Sequence, residues 1–167
     1  PNGGDRILSS TGTIGIANVF TPSIATNNYT ITGSTVDFNK AAGQNIPAFT
    51  FNNLRISGAG GVVKTLAGNI NIKAAFTIAA NTRFSLSSFD AVLKSDATNT
   101  ANVDLIPTVN SIIYGGTGRF VVERYIPTGV AHGKTWQLLS TPTFGQSVRD
   151  AWQEGNSTLA NTRPGYG

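Results

Sequence analysis

The chain has no cysteine, no methionine and a single histidine, and only eight of its 167 residues are acidic. Without cysteine there is no disulfide framework, no thiolate metal site and no cysteine nucleophile. That absence does not fix the compartment. Without methionine the sequence does not begin at a translation start, so Pro1 reads as a processed or truncated N-terminus, with no signal peptide left to read. Charged residues are 12% of the chain, about half the usual share. That excludes a coiled coil, a helical bundle and an ordinary charged cytosolic enzyme. Apolar runs last only a few residues, so no segment reads as a membrane span.

What the chain has instead is small and polar. Gly (19), Thr (21), Asn (16) and Ser (13) make up 69 of 167 residues. This mixture disfavours helices and favours strands joined by many turns. Hydrophobic residues are 40%, enough for a packed core rather than disorder. The length suits one domain, or one domain and the start of another, with no need of staples. Net charge is +4, but the twelve basic residues stand singly from Arg6 to Arg163. The tightest group is Arg119 and Arg124 around Glu123. No basic patch follows a phosphate backbone, and no nucleic-acid partner is expected.

Residues 1–28 are loosely patterned, with short strands possible at Ile7-Leu8 and Ile14-Gly15-Ile16 and a turn at Asn27-Asn28. From Tyr29 the alternation sharpens. Val36-Asp37-Phe38, Phe49-Thr50-Phe51, Leu54-Arg55-Ile56, Ile70-Asn71-Ile72, Phe76-Thr77-Ile78, Phe84-Ser85-Leu86 and Val103-Asp104-Leu105 each read as a half-buried strand. No helical interlude separates them. From Phe38 to Ile56 is 18 residues, to Ile72 another 16, and to Leu86 another 14, close to the length of one coil of a β-solenoid. The expected fold is therefore all-β, a parallel β-helix over 29–115. It has a lead-in or cap over 1–28, and a C-terminal cap or the start of a second β module over 116–167. Parallel crossovers make right-handed coiling the expected hand. The other reading is a β-sandwich of hairpins. Hairpin dipeptides are scarce: Asn-Gly occurs only at Asn2-Gly3 and Asp-Gly is absent.

Inward phenylalanines (Phe38, Phe49, Phe51, Phe76, Phe84) are expected to stack in the core. Asn39, Asn52, Asn53, Asn69 and Asn81 are candidates for amide ladders in the turns. Composition changes after Gly115-Gly116-Thr117-Gly118. Phe120-Val121-Val122, Arg124-Tyr125-Ile126 and Trp136-Gln137-Leu138-Leu139 read as strands, and 145–154 as a short helix with Val148 and Trp152 on one face.

No constellation of reactive groups stands out. Asp37 and Asp104 alternate with apolar neighbours and should face outward, about four coils apart, too far to act as a glycosidase pair. His132 has no Gly-x-Ser-x-Gly elbow and no clustered acids, so it forms neither a triad nor a metal site. Ser95-Asp96-Ala97-Thr98-Asn99 reads as a polar turn before it reads as a calcium loop. Gly58-Ala59-Gly60-Gly61 lacks the Gly-Lys-Ser/Thr of a phosphate loop and suits a tight corner. No catalytic residue, metal ligand or cofactor is expected. Trp136, Trp152 and Tyr125 are the one set that could form a platform for sugar rings, and sealing the end of a solenoid, with Tyr166, is the preferred reading of the same side chains.

Two blocks carry a resemblance. One is Gly43-Gln44-Asn45-Ile46-Pro47-Ala48-Phe49-Thr50-Phe51-Asn52-Asn53-Leu54-Arg55-Ile56. The other is Arg124-Tyr125-Ile126-Pro127, Trp136-Gln137-Leu138-Leu139-Ser140-Thr141-Pro142, Asp150-Ala151-Trp152-Gln153-Glu154-Gly155 and Arg163-Pro164-Gly165-Tyr166-Gly167. Together they resemble very large surface proteins of Bacteroidota exported by the type IX secretion system. There a Q-x-I-P-x-F-x-F-N-N-L-x-I coil precedes a G-x-G-x-F-x-V-E-R-Y-I-P transition. The resemblance covers 34–167, about four fifths of the chain. It implies a secreted or cell-surface location, adhesion, gliding or matrix roles, and no enzymatic activity. The family's C-terminal sorting domain is missing from these residues, which fits an ordered piece of a larger polypeptide.

The expected function is a non-catalytic structural or adhesive segment, a stalk or attachment module. Its partners would be the rest of a parent polypeptide, surface glycans and type IX secretion components. A carbohydrate-binding module, a filament subunit and a β-helix polysaccharide-degrading enzyme remain as alternatives.

Overall fold

A computed structural model describes residues 4–8, 12–22, 27–31, 33–104 and 106–125. The chain divides into two units, Pro1–Ile126 and Pro127–Gly167. The second lies outside the described residues, and with it the expected strand at 136–139 and helix at 145–154.

The described residues hold strands and no helix. In chain order they are β1 (Gly4–Leu8), β2 (Thr13–Ile16), β3 (Asn27–Ile31), β4 (Thr35–Phe38), β5 (Gln44–Ile46), β6 (Phe49–Ile56), β7 (Val62–Leu66), β8 (Ile70–Ile78), β9 (Thr82–Ser85), β10 (Ala91–Leu93), β11 (Asn102–Val103), β12 (Ile112–Ile113) and β13 (Phe120–Val122). Every ladder between them is parallel. The sheet orders are β13-β10-β8-β6-β4-β2 with β11 on β8, β12-β9-β7-β5, and β1-β3. Parallel strands that pair one coil onward make a β-solenoid of about three turns, and the hairpin sandwich is excluded.

The β6–β7 and β8–β9 coils each contribute three strand segments. Two belong to the seven-stranded sheet because β6 and β8 bend within their length. Their register runs Phe51↔Ile72 and then Asn53↔Ala75, so Lys73 and Ala74 oppose the single Asn52. The alternation breaks at the same place: in β6, Phe51 and Leu54 are both buried with two residues between them. The extra residue is a bulge, and a bulge bends a strand. The third segment belongs to the four-stranded sheet.

The ladder runs past both limits of the 29–115 stretch, from Thr13 to Val122. The reason lies in Gly115-Gly116-Thr117-Gly118, which is a corner between stacked coils. Gly116 has φ +64°, a region L side chains rarely adopt. A Cβ on Gly118 would sit 2.5 Å from the Phe89 carbonyl oxygen. Asn27-Asn28, read as a turn, opens β3 instead and pairs with Gly4-Asp5. Gly118→Ala is expected to lose about 1–3 kcal/mol, because the obstacle is backbone and cannot rotate away. Chemical denaturation checks this; a loss under about 0.5 kcal/mol would show that the corner relaxes freely.

The core is built mostly of stacked apolar side chains. Phe38, Phe51, Phe76, Phe84, Ile46, Ile56, Ile70, Ile72 and Leu86 are fully buried. The rings do not stack face to face. Phe38–Phe51 and Phe49–Phe51 meet edge to face with centroids 6.0 and 4.9 Å apart. Phe76 meets Phe84 at 5.0 Å. The aromatic quadrupole favours this geometry. Phe49 is only partly buried, and its ring packs on Phe20 and Tyr29 at 5.3 and 5.9 Å.

Candidate functional site

Of the three residues read as a sugar platform, Trp136 and Trp152 lie outside the described residues, as does His132. Tyr125 is described. It is 48% exposed, and its backbone N–H donates to Ser95 Oγ at 2.9 Å. It therefore rests on an insertion. Successive rungs Phe49, Ile70, Ala91 and Phe120 are 21, 21 and 29 residues apart. Part of the surplus in the last coil is the loop after Lys94, closed by an antiparallel bridge between Ser95 and Thr100.

Asp96 organises that loop. Its Oδ1 accepts from Thr98 N–H, Thr98 Oγ1 and Asn99 N–H, each at 2.8 Å. These bonds, the Thr98 N–H first, hold its carboxyl below the usual carboxylate range, with a smaller contribution from Lys73. Because Oδ1 is occupied by the loop itself, this is an Asx turn in form. Among the described residues no three His, Cys, Asp or Glu side chains come together.

Asp37, Asp104, Asp90 and Glu123 each reach one rung along the solenoid. Asp37 Oδ1 accepts from Ser57 Oγ at 2.7 Å, and its Oδ2 lies 3.8 Å from Arg55 Nε. Asp104 Oδ2 accepts from Thr77 Oγ1 at 2.5 Å. Asp90 Oδ1 accepts from Arg119 N–H at 2.9 Å, with Arg119 Nη2 3.3 Å from Oδ2. Glu123 pairs with Lys94 Nζ, and its Oε2 accepts from Ser95 N–H at 3.3 Å. Register corrects the expected placing of Asp37 and Asp104. They stand in one outward column, Asp37–Arg55–Thr77–Asp104, three rungs apart, or about 14 Å at the ordinary strand spacing. Asp37 is also covered, at 7% exposure, because Arg55 and Ser57 lie over it.

Asn53 and Asn69 follow the same rule, bonding backbone rather than each other's amides. Asn53 Nδ2 donates to Gly33 carbonyl at 2.9 Å, and Asn53 Oδ1 accepts from Ala75 N–H at 3.1 Å. Asn69 Oδ1 accepts from Asp90 N–H at 2.9 Å. Both tie a bend or a corner to backbone one coil away. Bends in the chain leave N–H groups without ladder partners, and short acceptors at the corner supply them.

One residue was not singled out in the sequence. Lys64 occupies an inward position of β7, between Gln44 of β5 and Phe84 of β9, and is fully buried. Its Nζ donates to the carbonyls of Lys40 at 2.5 Å and Ala42 at 3.0 Å. Burial pushes its pKa down. The carboxylate of Asp37 opposes that shift, and Lys40 adds to it. The signal was present: Val62, Lys64 and Leu66 share one parity of a strand, so the lysine must point where its apolar neighbours point.

No protein-family model matches the chain, and no curated protein or solved structure matches it either.

Proposed function

We propose that the chain is a non-catalytic structural segment of a secreted or cell-surface protein, a stiff spacer or attachment module continuous with a longer parent polypeptide. The observation that carries this reading is the employment of the acids. Asp37, Asp90, Asp104 and Glu123 each bond a neighbouring coil, and Asp96 bonds its own loop. A polysaccharide-cleaving site on a solenoid needs two carboxylates held across one cleft and free to exchange protons. Here the same groups stitch rungs together, which favours an extended, rigid rod. Surface glycans and secretion components are the partners this role calls for, and the resemblance of the 34–167 region supports an extracellular setting.

The test is to incubate the purified chain with pectin, alginate and glycosaminoglycans and follow both product release and tryptophan fluorescence. No new reducing ends and no unsaturated products are expected. A fluorescence shift without products assigns an attachment role to the platform. Release of oligosaccharides from any of the three overturns the non-catalytic reading.

A further inference from the structure

Inward columns on the seven-stranded sheet are apolar from end to end. One is Ile14–Val36–Leu54–Phe76–Val103, and another is Phe51–Ile72–Leu93–Val122. Such columns exclude a slip of one residue between coils, because that slip would turn every apolar side chain outward. They do not exclude a slip of two, which returns each side chain to its own face. Parallel coils of similar strands therefore need something else to choose between registers.

Gln44 and Lys64 differ from those columns. They are register partners at inward positions of adjacent coils, and both are buried. Each reaches back one coil, to backbone carbonyls of the corner before the equivalent strand. Gln44 Nε2 donates to Ile16 carbonyl at 2.7 Å and Asn18 carbonyl at 2.6 Å. Lys64 Nζ donates to Lys40 carbonyl at 2.5 Å and Ala42 carbonyl at 3.0 Å. We propose that this pair is a register key of the solenoid, the device that makes the β7 coil dock on the β5 coil in one alignment only. A two-residue slip of β7 along β5 would carry Nζ about 6.6 Å along the strand, well beyond hydrogen-bond reach. The ammonium would then be buried without a partner, while Val62 took the place opposite Gln44. Burying an unpaired charge is among the most unfavourable events in folding, so the slipped alignment is rejected. Substituted by apolar residues, the same positions accept either alignment.

The absence of native cysteine gives a direct readout, since two introduced thiols are the only pair in the chain. Asn45 and Thr65 are outward register partners, and a two-residue slip would instead bring Val63 opposite Asn45. Neighbouring strands lie at a separation that a disulfide can span. Asn45→Cys with Thr65→Cys therefore reports the native alignment, and Asn45→Cys with Val63→Cys reports the slipped one. With Gln44 and Lys64 in place, mild oxidation is expected to close the first pair and leave the second a trace. In the Gln44→Leu, Lys64→Met background, the second is expected to rise about tenfold or more, the factor lost with about 1.4 kcal/mol of discrimination. A slipped pair that stays a trace in that background overturns the proposal. Should the double substitution fail to give a β circular dichroism spectrum, Lys64→Met alone serves, with a smaller rise expected. If neither variant folds, the pair is required for folding itself and the register proposal falls.

Discussion

Phe76→Ala is expected to cost about 3–5 kcal/mol, the largest loss for any single truncation in the core. Phe76 is fully buried and stands in its column between Leu54 and Val103. Its ring also meets Phe84 at 5.0 Å and Phe120 at 5.9 Å, so one truncation opens contacts along the column and across it. The size of the loss depends on whether the space can close. Here it cannot close easily, because Leu54 and Val103 sit on strands hydrogen-bonded to β8, which fixes their distance from the missing ring. Phe120→Ala makes the contrast: that ring is only partly buried, on β13, and its loss should be clearly smaller. Urea denaturation of both variants, with unchanged slope, measures the difference. A Phe76→Ala loss below about 1.5 kcal/mol would mean that the coils approach each other to fill the gap.

That rigidity bears on how far the fold was legible. Alternation gave the strands and their inward residues, because in a half-buried strand polarity and direction are the same information. Phe38, Phe51, Phe76 and Phe84 are all buried as alternation predicts. The coil length was not legible. Phe38 to Ile56 is a true rung, but the next rung from Ile56 is Ile78, not Ile72. Ile72 belongs to the other half of β8, before the bulge, and its partners are Phe51 and Leu93. The shrinking spacings of 16 and 14 came from stepping between faces rather than up one column of rungs. A bend inside a continuous strand leaves no proline or glycine to mark it; Asn52-Asn53 and Lys73-Ala74-Ala75 carry it with ordinary residues.

Polar residues were harder still, for a physical reason. Direction can be read from parity, but cover cannot. Asp37 faces outward as its neighbours require and yet is buried, because the residues above it come from the next coil, 18 and 20 positions on. Asn69 sits at a corner as expected, whereas Asn53 lies within β6 at its bend, and the partners of both are backbone groups whose identity only register decides. Tyr125 is exposed, and its support, the loop closed by Ser95 and Thr100, is visible in the sequence only as a polar turn.

Lys64→Ala is the second large effect, and its sign needs three opposing terms. Removing the ammonium relieves the unfavourable burial of a charge, which favours the variant. Removing the stem leaves a void at a fully buried position, and methionine-to-alanine changes of similar size lose about 2–5 kcal/mol. The carbonyls of Lys40 and Ala42 also lose the donor that serves them, at about 0.5–1.5 kcal/mol for a hydrogen bond at a partly exposed corner. The last two outweigh the first, and a net loss of about 2–4 kcal/mol is expected. Lys64→Met keeps the volume and should lose less. The pH dependence separates charge from packing. Burial lowers the folded pKa of Lys64 below its ordinary value of 10.5, so the folded chain releases this proton at lower pH than the unfolded chain. Between those two values the unfolded chain binds more protons, and stability rises with pH through that window. Below the window the whole cost of burying the charge is present; above 10.5 it is fully relieved. The gap in stability between wild type and Lys64→Met should therefore widen as pH rises through the window, because only the wild type gains. Urea titrations of both chains from neutral pH to just above 10.5 measure that gap. A constant gap would mean that Lys64 titrates as an ordinary exposed lysine, and the buried, carbonyl-bound amine would have to be abandoned.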